Sequence, residues 1–359
     1  MKRMIDFYNK QVAEYEFDQS RQKEKIDIDK YVDSDPQKIS WTVNLKKYLA
    51  SHKQLTYRAK DQRLCVYRPF CKHWAYFNKD FNERPGIMPQ IFPNEIPDNF
   101  VIAVCGAGTT KDFTALITDT LLDYEMVSKS QCFPLYTYEK ADSKSKGLVE
   151  TGVERVGDYI RRENISDTML QKFREHYADN KIAKVDIFYY VYGILHSKSY
   201  RERFAADLKK QLPRIPMVDD FRAFSQAGRK LAELHLNYET LKPYPLKEIV
   251  TGAKVNFTVD KMRYASKTDK STIIYNDQLH LAGIPAEAYQ YVVNGKSALD
   301  WIMERYAVTT HKDSGIVNDP NDWCKEIGNE RYIVDLVKRI VHLSVESVKI
   351  IDTLPDVAF

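Results

Sequence analysis

A chain of 359 residues, 43% hydrophobic and 29% charged, has the balance of a soluble globular protein and suffices for one large domain or two ordinary ones. Its apolar runs, such as Val101-Ile102-Ala103-Val104, stop after a few residues, and the charged N-terminus lacks the apolar stretch of a secretory signal. A net charge of +4 is mild for a polyanion binder unless it is concentrated, and five cysteines without a CxxC pair suit reduced thiols in a cytoplasm better than a structural zinc site.

Residues 1 to about 55 read as a polar, helix-prone lead-in or linker, broken at Asp33-Ser34-Asp35-Pro36, with a short helix over Ile39 to Leu49. The charge is concentrated nearby. Between Trp41 and Asp80, nine cations from Lys46 to Lys79 face only Asp61 and Asp80, with Tyr57, Tyr67, Phe70, Trp74, Tyr76 and Phe77 threaded among them. Planar groups beside basic ones suit nucleic acid, and they suit a β-rich core equally well. For Tyr67 and Tyr76 the core reading is preferred, because an intact duplex exposes few base faces.

From Arg63 to about Tyr138, short β-prone runs predict one mixed sheet with long connections: Leu64–Tyr67, Trp74–Phe77, Asn99–Cys105 and Phe113–Thr118. Residues 141–249 then read as helical. Ile187, Phe188, Val191, Ile194 and Leu195 fall at helical spacing, as do Tyr200, Phe204 and Leu208, and then Phe221, Phe224, Gly228, Leu231 and His235. Further on, alternating Val255, Phe257 and Val259 and the run Thr272–Tyr275 predict a hairpin with a basic tip, and two helices close the chain. The expected fold is thus α+β, with a β-rich mixed-sheet N-terminal half, a helical middle, and a β-hairpin plus C-terminal helices. The expected segments are 1–55, 56–140, 141–249 and 250–359.

Gly295-Lys296-Ser297 ends like a phosphate-binding P-loop, but the glycine needed five positions earlier is Gln290. Asn294-Gly295 reads as a turn, and Ser297 as the N-cap of a helix over 298–306 with Asp300 closing a capping box. A second glycine turn, Cys105-Gly106-Ala107-Gly108-Thr109-Thr110-Lys111-Asp112, follows a strand and is open to two readings. It is a tight turn, or it is an anion-contacting loop whose glycines admit a phosphate and whose Thr109, Thr110 and Lys111 hold it. No HExxH, GxSxG or calcium-loop pattern occurs, and the eight histidines are scattered, with His196 and His235 at core-like positions. No covalent chemistry is expected of this chain alone.

Several blocks occur together and in order. They include Tyr67-Arg68-Pro69-Phe70, Lys111–Asp119, Gln131–Tyr136, Asp186–Ser197, Leu212–Pro216, and Asn294–Leu299 through Ser314–Pro320. In this order, from about residue 60 to 355, the chain resembles the C-terminal specificity region of type ISP restriction-modification enzymes. These are long bacterial proteins in which a nuclease, a helicase-like motor and an adenine methyltransferase precede the target-recognition domain. The resemblance implies sequence-specific recognition of double-stranded DNA, no catalysis in this chain, a cytoplasmic role in phage defence, and partnership with those segments in the same or another polypeptide. It leaves this chain without a cofactor; S-adenosylmethionine, ATP and Mg²⁺ would belong to the other segments.

Such a domain takes affinity from phosphate contacts and specificity from side chains at base edges. The candidates are Arg68, Lys72, Asn78 and Lys79 on the first β segment; Thr109, Thr110 and Lys111 at the glycine turn; and Arg263, Lys267 and Lys270 at the hairpin tip. Two other readings compete with this one. One is a stand-alone enzyme binding a phosphorylated ligand at residues 105–112; the other is a protein-interaction scaffold in phage defence.

Overall fold

The structure, a computed structural model, describes residues 1–94, 99–141 and 154–357. It divides into two compact units, neither continuous in sequence. The smaller comprises Met1–Leu64, Trp74–Pro89 and Thr309–Asn318; the larger comprises Cys65–His73, Gln90–Val308 and Asp319–Phe359.

In the smaller unit, the helix Lys2–Ser20 buries Ile5, Tyr8, Val12 and Tyr15, one stripe at helical spacing. A second helix, Val43–Ala50, is capped by Thr42, whose Oγ1 accepts from the Leu45 N–H at 3.2 Å. Leu45 and Leu49 meet the first helix, with Val32, Ile39 and Leu55 completing the core. Asn9 donates to the Leu55 carbonyl at 2.8 Å and accepts from the Leu55 N–H at 2.9 Å. The expected lead-in is therefore a folded body with its own apolar centre. Thr309–Thr310 and Val317–Asn318 pair as a short antiparallel hairpin in the same unit.

The larger unit holds several small sheets where the sequence suggested one. Val101–Val104 lies between Ala115–Thr118 and Gln131–Pro134, antiparallel to both, and all its residues are buried. Cys65 and Val66 pair in parallel with Leu121 and Leu122. Tyr136–Lys140, Tyr159–Glu163 and Glu154–Val156 form another antiparallel sheet. Its last two strands lie where the sequence suggested helix, and helices begin only at Asp167. The charged Tyr-Ile-Arg-Arg-Glu run lacks the apolar alternation that would reveal a strand.

The helices Lys184–His196 and Phe221–Leu236 form the centre of this unit. Their backbones approach at paired glycines. A Cβ on Gly228 would stand 1.9 Å from the Tyr189 carbonyl oxygen, and one on Gly193 would stand 2.2 Å from that of Phe224. Leu231, Ala232, Tyr190, Tyr192 and Ile194 pack around this contact. The 21-residue helix Tyr332–Asp352 is buried on the stripe Ile333, Leu336, Val337, Ile340 and Leu343. No described helix is long and apolar enough to cross a membrane.

The expected strand over Val255–Val259 is irregular backbone. Side chains satisfy its polar groups in place of a ladder. The Tyr275 hydroxyl donates to the Phe257 carbonyl at 2.7 Å, and Asn276 Nδ2 donates to the carbonyls of Asn256 and Thr258 at 2.8 Å. Asn321 accepts from the Val259 N–H and donates to its carbonyl. The strand paired with Thr272–Ile274 is Arg263–Tyr264, which forms the outer edge of a four-stranded sheet.

Candidate nucleic-acid interface

The hairpin tip, residues 265–271, is braced from within and below. The Ser266 hydroxyl oxygen accepts from the Asp269 N–H and Asp269 Oδ1 accepts from the Ser271 N–H, both at 2.8 Å. The Tyr264 hydroxyl donates to Asp300 Oδ1 at 2.6 Å, and the Tyr289 hydroxyl donates to the Lys270 carbonyl at 2.6 Å. The Lys270 ammonium lies 4.9 Å and 5.4 Å from the ring centres of Tyr264 and Tyr289. Arg263, Lys267 and Lys270 are exposed, and none has a carboxylate partner among the described residues. The backbone that carries these cations is fixed, so little backbone order has to be created on binding.

Asp300 ties this tip to the Gly-Lys-Ser segment. Asn294 and Gly295 have φ of 50° and 76°, the pair of left-handed residues that a two-residue hairpin turn requires, between the strands Val292–Val293 and Lys296–Ser297. Ser297 caps the helix Ala298–Arg305, its hydroxyl oxygen accepting from the Asp300 N–H at 3.1 Å. Lys296 is ion-paired with Glu304. The segment is a turn and a cap, as its sequence implies.

At the second glycine turn, the backbone donors are already used inside the protein. The Gly106 N–H donates to the Ser128 carbonyl and the Gly108 N–H to the Lys209 carbonyl, each at 3.1 Å. A Cβ on Gly106 would lie 2.5 Å from the Lys129 carbonyl oxygen, so this glycine serves close packing against residues 128–129. Thr109 is buried, with its hydroxyl 2.8 Å from that of Ser128. Thr110 and Lys111 stand exposed at the crest. The loop therefore does not present a backbone cradle, but it does present a hydroxyl and an ammonium.

On the first β segment, three of the four candidates are engaged internally. Arg68 lies 2.7 Å from Asp123 and 4.0 Å from the Tyr67 ring centre, and Lys72 lies 2.6 Å from Glu239. Asn78 is buried; it donates to Asp61 at 2.5 Å and accepts from the Asp80 N–H at 2.8 Å. Asp61 in turn accepts from Arg58 Nε at 2.8 Å. Lys79 is exposed. Tyr76 stacks on Tyr57 at 5.6 Å and Tyr67 packs on His73 at 4.9 Å, as expected of core and boundary rings.

In the larger unit, a cleft of about 500 Å³ is lined by Lys254, Asn256, Phe257, Gln278, Asn321 and Lys325, with Glu330 as the acidic member. Sequence reading passed over Lys254 and Lys325, since nothing in their local spacing sets them apart from other surface lysines. Burial raises the thiols of Cys71 and Cys132 to about 12 and about 11, and raises Cys105 and Cys324 as well, which disfavours the nucleophilic thiolate at all four. Among the described residues, no cluster of His, Cys, Asp or Glu could hold a metal ion.

The exposed candidates are thus cations and one hydroxyl on short loops of an α+β body, as suits a specificity module that meets a polyanion. The chain belongs to the type ISP C-terminal specificity domain family, whose profile matches residues 1–336. It is similar to a nuclease-deletion mutant of the type ISP restriction-modification enzyme LlaGI, solved in complex with a DNA substrate mimic, at 33% identity and a TM-score of 0.83 over 99% of this chain. It is similar also to the ATP-dependent type ISP enzyme LlaBIII bound to DNA, at 30% identity and 0.85 over 100%, and to DrdV in a DNA complex, at 30% and 0.82 over 99%. The chain spans 30%, 22% and 33% of those three proteins' lengths. No curated protein sequence matches it. The family match begins at residue 1, so the helices before residue 60 are part of the domain that the resemblance had placed later.

Proposed function

We propose that this chain recognises a short sequence in double-stranded DNA and directs to it an adenine methyltransferase and restriction machinery carried by the same or a partner polypeptide. The observation that carries this reading is the match of essentially the whole chain to three proteins solved with DNA or a DNA substrate mimic, at 30% identity or more. On this reading the domain holds the duplex beside the adenine that the methyltransferase extrudes. It performs no covalent step and holds no cofactor itself; S-adenosylmethionine, ATP and Mg²⁺ serve the other segments. It works in the cytoplasm as part of phage defence.

The contacts are assigned to cations and polar groups that are exposed and have no carboxylate partner among the described residues: Lys79, Thr110, Lys111, Arg263, Lys267 and Lys270. Arg68, Lys72, Asn78 and Thr109 are assigned to bracing within their own units, since each is already bonded there. The test is a salt titration of duplex binding by the full chain. Each phosphate neutralised contributes about 0.9 to the slope of log affinity against log salt. Arg263→Ala combined with Lys267→Ala is expected to flatten that slope by about 1 to 2 and leave the melting temperature unchanged. An unchanged slope in the double variant would remove the hairpin tip from the interface. Wild-type binding that ignores salt would remove DNA from the account.

A further inference from the structure

Arg201 is a cation without a counter-charge among the described residues. It follows Tyr200 on the short helix Lys198–Arg203 and is half-buried in the larger unit. Its Nε donates to the Leu195 carbonyl at 2.6 Å, and its guanidinium carbon lies 5.8 Å from the ring centre of Phe113. No carboxylate pairs with it among the described residues. Its electrostatic neighbours are Tyr192, Tyr291 and Cys105, and burial pulls its proton affinity below the usual arginine range. A guanidinium has five N–H donors, of which Nε alone has a described partner. Being half-buried with no carboxylate pair among the described residues, the guanidinium keeps its remaining donors open to an incoming anion.

The surroundings point to which anion. Cys105 and Phe113 are the two ends of the glycine loop, which is closed at its root by the Cys105 N–H donating to the Thr114 carbonyl at 3.1 Å. Lys111 stands on the crest of that loop. Lys129 Nζ donates to the Gly108 carbonyl at 3.3 Å, and Lys209 Nζ lies 3.5 Å from Asp112. The loop and the side chains touching it thus carry Arg201, Lys111, Lys129 and Lys209 against the single carboxylate of Asp112. Ser128 and Lys129, which face Gly106, both hold positive φ, at 60° and 53°, a strained arrangement of the kind kept at ligand clamps.

We propose that this loop and Arg201 together form a seat for one phosphoryl group, occupied by a phosphodiester of the DNA backbone, with Arg201 at the root of the loop and Lys111 at its crest. The choice of DNA as the phosphate source rests on the function proposed above. A phosphodiester has two free oxygens, which suits one planar guanidinium fork and one mobile ammonium.

The test uses the full chain, a random-sequence duplex of about 30 bp, and Arg201→Met and Arg201→Lys variants, with slopes measured below each variant's melting transition. A backbone anchor predicts that Arg201→Met binds about tenfold more weakly, at every sequence alike. Its salt slope should be smaller by about 0.9, and Arg201→Lys should recover the slope. A slope and affinity equal to wild type in folded Arg201→Met would overturn the proposal. In a parallel arm, inorganic phosphate is added without DNA. A rise in melting temperature for wild type but not Arg201→Met, with the DNA slope unaffected, would assign the seat to free phosphate and overturn the backbone assignment. If wild type binds no duplex, the proposed function fails; a phosphate-dependent rise would then still support the seat, and its absence would overturn both.

Discussion

His196 and His235 show how far a residue's role can be read from its spacing. Both fall on apolar helix faces, and both are buried in the larger unit. His235 is satisfied on each side: Nδ1 lies 2.6 Å from the Tyr192 hydroxyl and Nε2 lies 3.0 Å from the Ser347 hydroxyl. Burial, with the nearby Arg201 charge, pulls His235 down to about 3 and holds His196 well below its usual value. The sign of the consequence follows from linkage. Above pH 6.5 neither the folded nor the unfolded chain carries these protons, so the two groups cost nothing. Below 6.5 the unfolded chain takes them up and the folded one does not. Stability should then fall by up to about 1.4 kcal/mol per pH unit for His235, down towards pH 3, with His196 adding in the same direction. Urea unfolding between pH 7.5 and pH 4.5 measures it; a flat profile across that window would show that the two rings are not held neutral. The partners of Arg68, Lys72 and Asn78 were not legible in the same way. Lys72 finds Glu239 at a separation of 167 residues, and no local pattern announces such a pair. Arg201 escaped notice because its sequence neighbours are an ordinary charged helical turn.

At the scale of elements, periodicity served helices better than strands. The stripe Phe221, Phe224, Gly228, Leu231 and His235 is the buried face of the helix Phe221–Leu236. The glycine within it is explained only by the partner helix. Gly228 and Gly193 sit where a methyl group would meet backbone carbonyls rather than a yielding side chain. Gly228→Ala should therefore destabilise the chain by about 3 kcal/mol or more, although alanine favours an isolated helix by about 1 kcal/mol. Chemical denaturation reads the sign directly, and a stabilised variant would mean that the two helices are not in backbone contact. Strands failed the same test where other groups replaced the ladder. Val255–Val259 has the alternation of a strand, but its polar groups are met by Tyr275, Asn276 and Asn321 side chains. Tyr159–Glu163 is a strand without alternation, because its neighbours leave both faces partly open to solvent.

At the scale of the molecule, the α+β class was legible, and the division into units was not. The smaller unit draws in Trp74–Pro89 and Thr309–Asn318 from far along the chain, and discontinuity of that kind leaves no mark on composition or punctuation. The resemblance supplied what spacing could not, since each block is weak alone and only their order is specific. The charge needed for a polyanion is present despite the small net value, because Arg263, Lys267 and Lys270 are gathered on one hairpin and Lys111, Lys129 and Lys209 around one loop. Recognition of a particular DNA sequence is the central claim, and enrichment of a random duplex library by the full chain, at about 0.15 M salt where weak non-specific binding is suppressed, tests it most directly. The account predicts that repeated rounds converge on one short motif, and that changing a base pair within it weakens binding by about 1–3 kcal/mol. Retention of duplexes without any shared motif would contradict it.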